Sequence, residues 1–582
     1  MYSSIDKLLR TTLRTLARDE TLAALGDMDP QIERTRDARH GDFTSNVAMR
    51  AAKALGEKPR DIATRIVEAM SASALIARVE IAGPGFINFT LTQSAWHQAV
   101  AETFARGTEY GTSTSGDGKK ALVEFVSANP TGPLHVGHGR HAAFGACLAN
   151  LLRATGYEVD TEYYVNDAGR QMNILALSVW LRYLQLGDVA PEFPGKCYQA
   201  DYCRDIAAEI KGSHGDVFMS GAAAVVELLN TPVDDEETQL DALIELAQNS
   251  LEADGFAVFF DAAIETILAD IRDDLGEFGV EYDRWYSERS LVDRGAIDSA
   301  IEVLRAKGVL YDKDGTVWFR TTDFGDDKDR VVVRENGVTT YFASDIAYHK
   351  EKCERGYDEL INVFGSDHHG YIARLLAALA GLGKPDDALE IKLVQFVVLF
   401  RGTEKVQMST RSGKYITLRE LRNEVGNDAA RFFYVSRSND QHLDFDLALA
   451  TSQSNDNPVY YVQYAHARIA SLLHKLEASG ISLPAASADT LAPLTNDSEV
   501  SLMRAISRFP EAVQLAADNR APQTIVHYLR ELAAEFHSFY NDQRIIDAEA
   551  AERDARALLA TATRQVLANG LALLGVSAPE SM

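Results

Sequence analysis

Cysteine is scarce in this chain of 582 residues: four copies, at 147, 197, 203 and 353, and no Cys-x-x-Cys pair. That removes the spacing of a structural zinc site and the basis for a disulfide framework, and it points to a reducing compartment, the cytoplasm. Long apolar runs are missing as well. None approaches the roughly 18 residues that cross a bilayer, so no membrane partner is expected. The amino end, "MYSSIDKLLRTTLRTLARDETLAALG", reads as an amphipathic helix whose Asp6, Asp19 and Glu20 are out of place in a secretory leader. Positive charge is in deficit: 58 Lys and Arg stand against 85 Asp and Glu, a net charge of −27. A partner held by a uniformly positive surface is excluded, and any polyanion must be met by local basic faces, although no long basic run marks one. There is no repeat period and no low-complexity tail.

What is present suits packed domains, with 46% hydrophobic and 25% charged residues. The length exceeds what one core buries, so about three or four domains are expected. Residues 1–110 mix short helical patterns with the alternating segment "VEIAGPGFINFTL". The Gly-, Ser- and Thr-rich stretch over 111–120 has the chemistry of a linker. From 121 to 450 strands alternate with helices ("ALVEFVSA", "GYEVDTEYYV", "ELINVFGSD", "IKLVQFVVLF"), the mark of an α/β unit with a mostly parallel sheet and ligands at the strands' carboxyl ends. Acidic, helix-prone material over about 185–330 reads as insertion. Residues 451–582 are helical, punctuated by Pro458, Pro484, Pro493 and Pro510.

The most informative stretch is "ANPTGPLHVGHGRHAAFGACLANLL", residues 128–152, where a Pro-broken extended run meets a long apolar-periodic helix. A helix amino terminus presents unpaired N–H groups and partial positive charge, which favours an anion such as phosphate. His135 and His138 can both face such a ligand, and Gly137 leaves backbone bare for a base or ribose.

These residues carry a resemblance. "EFVSANPTGPLHVGHGR" resembles the HIGH-type signature of class I aminoacyl-tRNA synthetases, in the form carried by arginyl-tRNA synthetases. "HGDFTSNVAMRAAKAL" and "VEIAGPGFINF" are similar to that family's amino-terminal tRNA-elbow domain. "YYVNDAGRQM" and "VFGSDHHGYI" resemble its catalytic core, and "NPVYYVQYAHARI" the start of its anticodon-binding helices. The resemblance implies a Rossmann-like core with insertions, an α+β amino-terminal domain and an all-helical carboxyl-terminal domain. It further implies a cytoplasmic monomer that activates L-arginine with ATP, Mg2+ arriving with the nucleotide, and transfers arginine to the 2′-hydroxyl of the terminal adenosine of tRNA-Arg, with the tRNA bound during activation.

It also implies site residues. ATP is expected at His135, Gly137, His138, Gly365, Asp367, Met408 and Ser409. A guanidinium needs carboxylates and acceptors spaced for its fork, and Tyr341 and Asp345, four apart in "TTYFASDIAYHK", lie on one face if that segment is helical. The resemblance assigns them to the guanidinium, Asn129 and His138 to the polar head of the amino acid, and Glu124, Ser127 and His368 to the same pocket; His368 stands where the family often has glutamine. Tyr461 and Tyr464, with Gln463 and Arg468 nearby, are expected against anticodon bases, and Asn88 with Phe86 against the tRNA elbow.

One element departs from the family. In "RGTEKVQMSTRSGKYITL", Met408 and Ser409 of the Lys-Met-Ser-Lys-Ser loop are kept, but Gln407 and Thr410 replace its lysines, and Gly132 stands where some members compensate with lysine. Those cations would stabilise the departing pyrophosphate. Arg411 is the first substitute, for its fork, with Lys405 and Lys414 behind it. Three other readings are set against this one: a synthetase-like tRNA-binding protein without activity, a small HxGH nucleotidyltransferase, and a metal phosphoesterase built on "SDHHG". No protein-held metal is expected in the favoured reading.

Overall fold

The computed structural model describes residues 2–35, 37–187, 191–231, 235–406 and 415–582. At the amino end, helix Tyr2–Leu16 buries Ile5, Leu9 and Leu13, one residue per turn. It packs with helices Val47–Leu55 and Pro59–Ala69 against a four-stranded antiparallel sheet. The segment expected to alternate forms that sheet's hairpin, Ile76–Ala82 with Phe86–Leu91. Gly85 at its turn has φ 152°, and an added Cβ would meet the backbone of Pro59 at 2.9 Å, so only glycine fits.

The catalytic unit is built on strands β1 (Lys120–Glu124), β2 (Glu158–Val165), β3 (Arg284–Ser287), β4 (Glu359–Gly365) and β5 (Glu390–Val394). They form one parallel sheet in the order β5-β4-β1-β2-β3. In the central strand Ala121, Leu122 and Val123 are all buried, the continuous apolar run required of a strand covered on both faces. Its helical neighbours are α1 (Val136–Ala154), α2 (Arg170–Gln185), α3 (Glu236–Glu277), α4 (Tyr341–Glu354) and α5 (His369–Gly381). The chain leaves β1 for β2 on one side and reaches β4 on the other, so a crevice opens at their carboxyl ends.

Three expectations change. The 185–330 stretch is not insertion alone, because β3 closes one edge of the core sheet and α3, broken at Glu252 (φ 56°), packs on α2. Its short "WYS" core is too brief to stand out among acidic helices. "IKLVQFVVLF" is two strands: after β5 the backbone N–H of Gln395 bonds to the carbonyl of Asn439 at 2.8 Å, and Val397–Arg401 pairs instead with Leu443–Asp446 in a second small sheet. The 111–120 stretch is docked rather than free. Ser113 donates to Gln514 at 2.6 Å, and the added Cβ of Gly111 would overlap the ring of Phe509.

Beyond residue 451 come helices α6 (Pro458–Ala478), α7 (Gln523–Asp542) and α8 (Ala550–Leu573), with shorter helices between α6 and α7. This bundle rests on the catalytic unit through Arg431, which is fully buried and has no carboxylate partner among the described residues. Its guanidinium donates to the carbonyls of Leu574 (3.0 Å), Phe278 (2.9 Å) and Gly279 (3.2 Å), two of which close helix carboxyl termini. Replacing it strands those buried acceptors, at ~1–3 kcal/mol for each left unpaired. Arg431→Leu is expected to lower stability by about 3 kcal/mol, read from the urea midpoint by tryptophan fluorescence; an unchanged midpoint would contradict this account of the domain junction.

Candidate active site

Strand β1 ends at Glu124, and the two residues after Phe125 take positive φ: 68° at Val126 and 42° at Ser127. Such conformations cost ~1–3 kcal/mol each and persist only where neighbours over-determine them. Here the Ser127 hydroxyl accepts the N–H of Tyr164 and donates to Glu124 Oε1, both at 3.1 Å. The turn sends the chain across the crevice to the amino end of α1.

At that end His135 is the cap. Its Nδ1 accepts the N–H groups of Gly137 (3.1 Å) and His138 (3.3 Å), while Nδ1 of His138 accepts the N–H of His135 (3.3 Å). This is the reciprocal arrangement usually made by Ser and Glu, built from two imidazoles stacked 3.5 Å apart. With both Nδ1 atoms accepting, the ring hydrogen of each sits on Nε2. Burial depresses both residues, His138 well below the usual histidine range, and takes His141 beside them to about 4. The pair is therefore neutral at pH 7 and offers two N–H donors. Gly137 serves the cap before any ligand, since an added Cβ would meet the His135 ring at 2.9 Å.

Over the ends of β1 and β4 lies a cavity of about 510 Å3, lined among others by His135, Gly137, His138, Gly365, Asp367 and His368. Asp367 and His368 are exposed at its rim. A side cavity of about 260 Å3 shares Asn129, Tyr164, Asn166 and Asp345 with it and adds Gln171, Glu288 and Tyr341. Asn129 is held by Gln171 (2.9 Å) and Asn166 (3.1 Å). Tyr341, at the first position of α4, is half exposed, and its hydroxyl accepts the N–H of Arg170 at 3.0 Å. One turn on, Asp345 is hydrogen-bonded by the Tyr371 hydroxyl, and burial, with Glu124 adding to it, pushes its carboxyl up to about 7. Glu288 also reaches about 7, through burial and then the charge of Asp345. Neither carboxyl has an ion-pair partner among the described residues. The crevice thus has an anion-seeking end at α1 and a cation-seeking end between β3 and α4.

The structure brings most expected residues together. Glu124 and Ser127 line the larger cavity, although the Glu124 carboxylate is already paired with Lys352 at 2.6 Å. Lys405 is exposed on the short strand Glu404–Lys405 and is not among the lining residues. Met408, Ser409 and Arg411, with Gln407, Thr410 and Lys414, lie outside the described residues. The chain beyond them is tied to the cap segment: Ile416 accepts the N–H of Val136 at 3.2 Å, and Leu418 N donates to the carbonyl of Leu134 at 2.8 Å. Sequence reasoning missed Glu288, inside the supposed insertion, and Phe396, an exposed ring at the cavity rim. The strand-like "WYS" before Glu288 was the signal available for the first.

In the bundle, Tyr464 is partly exposed and stacks on Tyr460 (6.0 Å between centroids, 6° between planes) and on His537 (5.7 Å), while Arg468 lies 4.0 Å from the Tyr540 ring. Tyr461 packs on His537 and lines an open cleft with His527 and Arg530. Gln463 is turned inward instead, donating to Asp428 (2.8 Å) and to the carbonyl of Ser577, because the tyrosine face of α6 and its buried face lie on opposite sides. Asn88 is likewise inside the amino-terminal sheet, its oxygen taken by Thr44 at 2.7 Å, and Phe86 is the exposed side chain of that strand. No described helix is long and apolar enough to cross a membrane.

Comparison with known proteins agrees with this geometry. The family described as "tRNA synthetases class I (R), catalytic domain" matches residues 99–444, "Arginyl tRNA synthetase N terminal domain" 3–91, and "DALR anticodon binding domain" 462–582. The arginine–tRNA ligase of Thioalkalivibrio sulfidiphilus is 54% identical and that of Legionella pneumophila 49%, each over the whole of both chains. A structure of a putative arginyl-tRNA synthetase from Campylobacter jejuni is 33% identical, with a TM-score of 0.72 over 84% of this chain and all of its own. The Thermus thermophilus arginyl-tRNA synthetase shares the fold, with a TM-score of 0.73 over 99% of this chain and all of its own at 23% identity. These matches account for the "SDHHG" run inside a synthetase core rather than a phosphoesterase, and they leave the inactive-relative and small-nucleotidyltransferase readings without support. Matched from its amino-terminal domain through its class I catalytic domain to its anticodon-binding helices, the chain belongs to the arginyl-tRNA synthetase family and is an arginine–tRNA ligase.

Proposed function

We propose that the joined cavities seat ATP and L-arginine side by side, that the chain forms arginyl-adenylate there, and that it then passes arginine to the terminal adenosine of tRNA-Arg. One observation carries this: within a connected crevice, two neutral imidazole donors at a helix amino terminus share the space with two buried carboxyls that make no ion pair among the described residues. In this reading the phosphates lie against His135, Gly137 and His138, with the ribose near Gly365 and Asp367. The guanidinium takes Tyr341, Asp345 and Glu288, and the amino acid's polar head takes Asn129, Ser127, Glu124 and His138, with His368 at the rim.

The arginine carboxylate is already a nucleophile. It attacks the α-phosphorus in line, a carboxyl O–P bond forms, and the bond to the departing pyrophosphate breaks. No side-chain base is needed, and the chain contributes position and preorganised donors to the charge that develops. Mg2+ would come bound to the ATP phosphates; no group of three His, Cys, Asp or Glu among the described residues is placed to cage it. Positive charge for the pyrophosphate is assigned first to Arg411, with Lys405 second, supported by the chain beyond the loop being held against the cap segment. Tyr461 and Tyr464 supply stacking for anticodon bases, extended by His537 and Arg468. The protein acts as a cytoplasmic monomer.

ATP–pyrophosphate exchange tests the reading. Exchange is expected with arginine alone among the amino acids and only with tRNA present; exchange driven equally by lysine would refute it. In the same assay Arg411→Ala is expected to slow exchange about 100-fold with little change in KM, the scale of losing one preorganised charge donor; an unaltered rate would remove it from the mechanism.

The guanidinium assignment makes a pH prediction. A cation binds the ionised forms of Asp345 and Glu288, whose carboxyls titrate near 7 in the unliganded protein. Binding therefore strengthens as pH rises through 7. The KM for arginine is expected to fall up to about tenfold between pH 6 and 7.5, since one pH unit of titration corresponds to ~1.4 kcal/mol, and to level off above; a flat profile would count against these two residues.

A further inference from the structure

Helix α4 does more than supply Tyr341 and Asp345. The same helix and its C-cap send two cations under the floor of the crevice, where they meet acidic side chains at the end of β1 and within β2. Lys352 has no solvent exposure, and its Nζ donates to Glu124 Oε2 at 2.6 Å and to the side-chain oxygen of Asn362. Arg355 donates to Glu162 Oε2 at 2.6 Å, and the Tyr348 hydroxyl lies between the carboxylates, 2.7 Å from Glu124 and 2.6 Å from Glu162. Glu124 nevertheless lines the cavity, and among the described residues its Oε1 is bonded by Ser127 alone.

We infer that Lys352 is a positioning residue for the amino-acid substrate: it ties down one oxygen of Glu124 and keeps the carboxylate ionised, so that the other receives the α-ammonium group of arginine. This rests on the placement of arginine in this crevice. Burial pushes the Glu124 carboxyl up, and the Lys352 ammonium, the foremost of the opposing influences, brings it below the usual carboxylate range. The other groups around it favour the ionised form less. His349 is held neutral, its Nδ1 donating to the Asp345 carbonyl at 2.9 Å and its Nε2 accepting from Asn362 at 3.1 Å. Asp345 and Glu162 are acidic, and Tyr348, Tyr164 and Tyr282 are un-ionised phenols. Without Lys352, desolvation decides, and Glu124 takes a proton.

Steady-state exchange with full-length enzyme and tRNA tests this between pH 7.5 and 8.5, where the wild-type KM for arginine has levelled off. Lys352→Met is expected to raise that KM at least tenfold at pH 7.5, with the KM for ATP within twofold of wild type, and the defect is expected to shrink as pH rises. Glu124→Gln raises the arginine KM to a similar extent without pH dependence. The double variant, which buries a neutral pair and keeps the fold testable if the single variant unfolds, matches Glu124→Gln. A wild-type arginine KM in Lys352→Met or in the double variant, or a loss equal for both substrates and flat with pH, would overturn the inference. Failure of wild-type enzyme to show arginine-dependent exchange would instead overturn the placement of arginine.

Discussion

The reciprocal cap between His135 and His138 fixes where α1 begins relative to the end of β1, and the rest of the site is arranged around that joint. A Ser and Glu pair would close the same turn, with a cap contribution of ~0.5–2 kcal/mol. Imidazoles need more room, which is why Gly137 stands between them, but they leave an N–H on the far side of each ring. Stacked 3.5 Å apart, two charged rings would repel by about 5 kcal/mol at an effective dielectric of ~20. Neutrality wins, and burial enforces it. In the proposed placement the phosphate end relies on dipoles fixed before the ligand arrives, and the counter-charge is left to Arg411 and Lys405.

The opposite end of the crevice is governed by where charge is left uncompensated. Four acidic side chains gather around it. Glu124 and Glu162 receive Lys352 and Arg355 from below, while among the described residues Asp345 and Glu288 make no ion pair, Asp345 being bonded by the Tyr371 hydroxyl with the charge of Arg374 further off. Removing one partner of a buried ion pair costs ~3–5 kcal/mol, so the first two form a rigid floor. The second two, each raised to about 7, are under-stabilised until a cation enters. A planar cation with several donors satisfies both at once, whereas a single ammonium leaves acceptors unpaired, the asymmetry that permits strong discrimination without a second checking site.

Bulk charge contributes little to how the units are joined, and buried arginines contribute much. Arg140, the last residue of the signature stretch, solvates three carbonyls at 2.8–2.9 Å and makes no ion pair among the described residues; burial lowers it to about 10. Arg431 does the same between core and bundle. On the back of α1, Asn150 donates to Leu573 at 3.2 Å, so the last helix of the tRNA-facing bundle sits directly on the helix that carries the histidines. The amino-terminal unit is tied to the bundle by Arg34 with Glu511 and by Arg504 with Asp42. The amino-terminal sheet, the aromatic stack on α6 and the crevice are therefore linked by packed, hydrogen-bonded contacts.

Local chemistry was legible in the residues themselves. The Pro-broken run before a periodic helix gave the strand-to-helix joint, His135 and His138 with their glycine marked that helix's amino terminus as a candidate anion site, and the 3.6-residue spacing put Tyr341 and Asp345 on one face. Those features depend on neighbours within a turn or two, which a sequence states directly. Tertiary structure alone decided which carboxylates are free to meet a ligand. Glu124 and Asp345 look alike in sequence, but one is paired with a buried lysine two turns further along α4 and the other is bonded by the Tyr371 hydroxyl. It also brought Glu288 from an apparent insertion to the cavity and turned Gln463 and Asn88 inward. The physical reason is that ionisation and hydrogen-bond demand are set by desolvation and by partners from tens to more than two hundred residues away, and no local pattern encodes those distances.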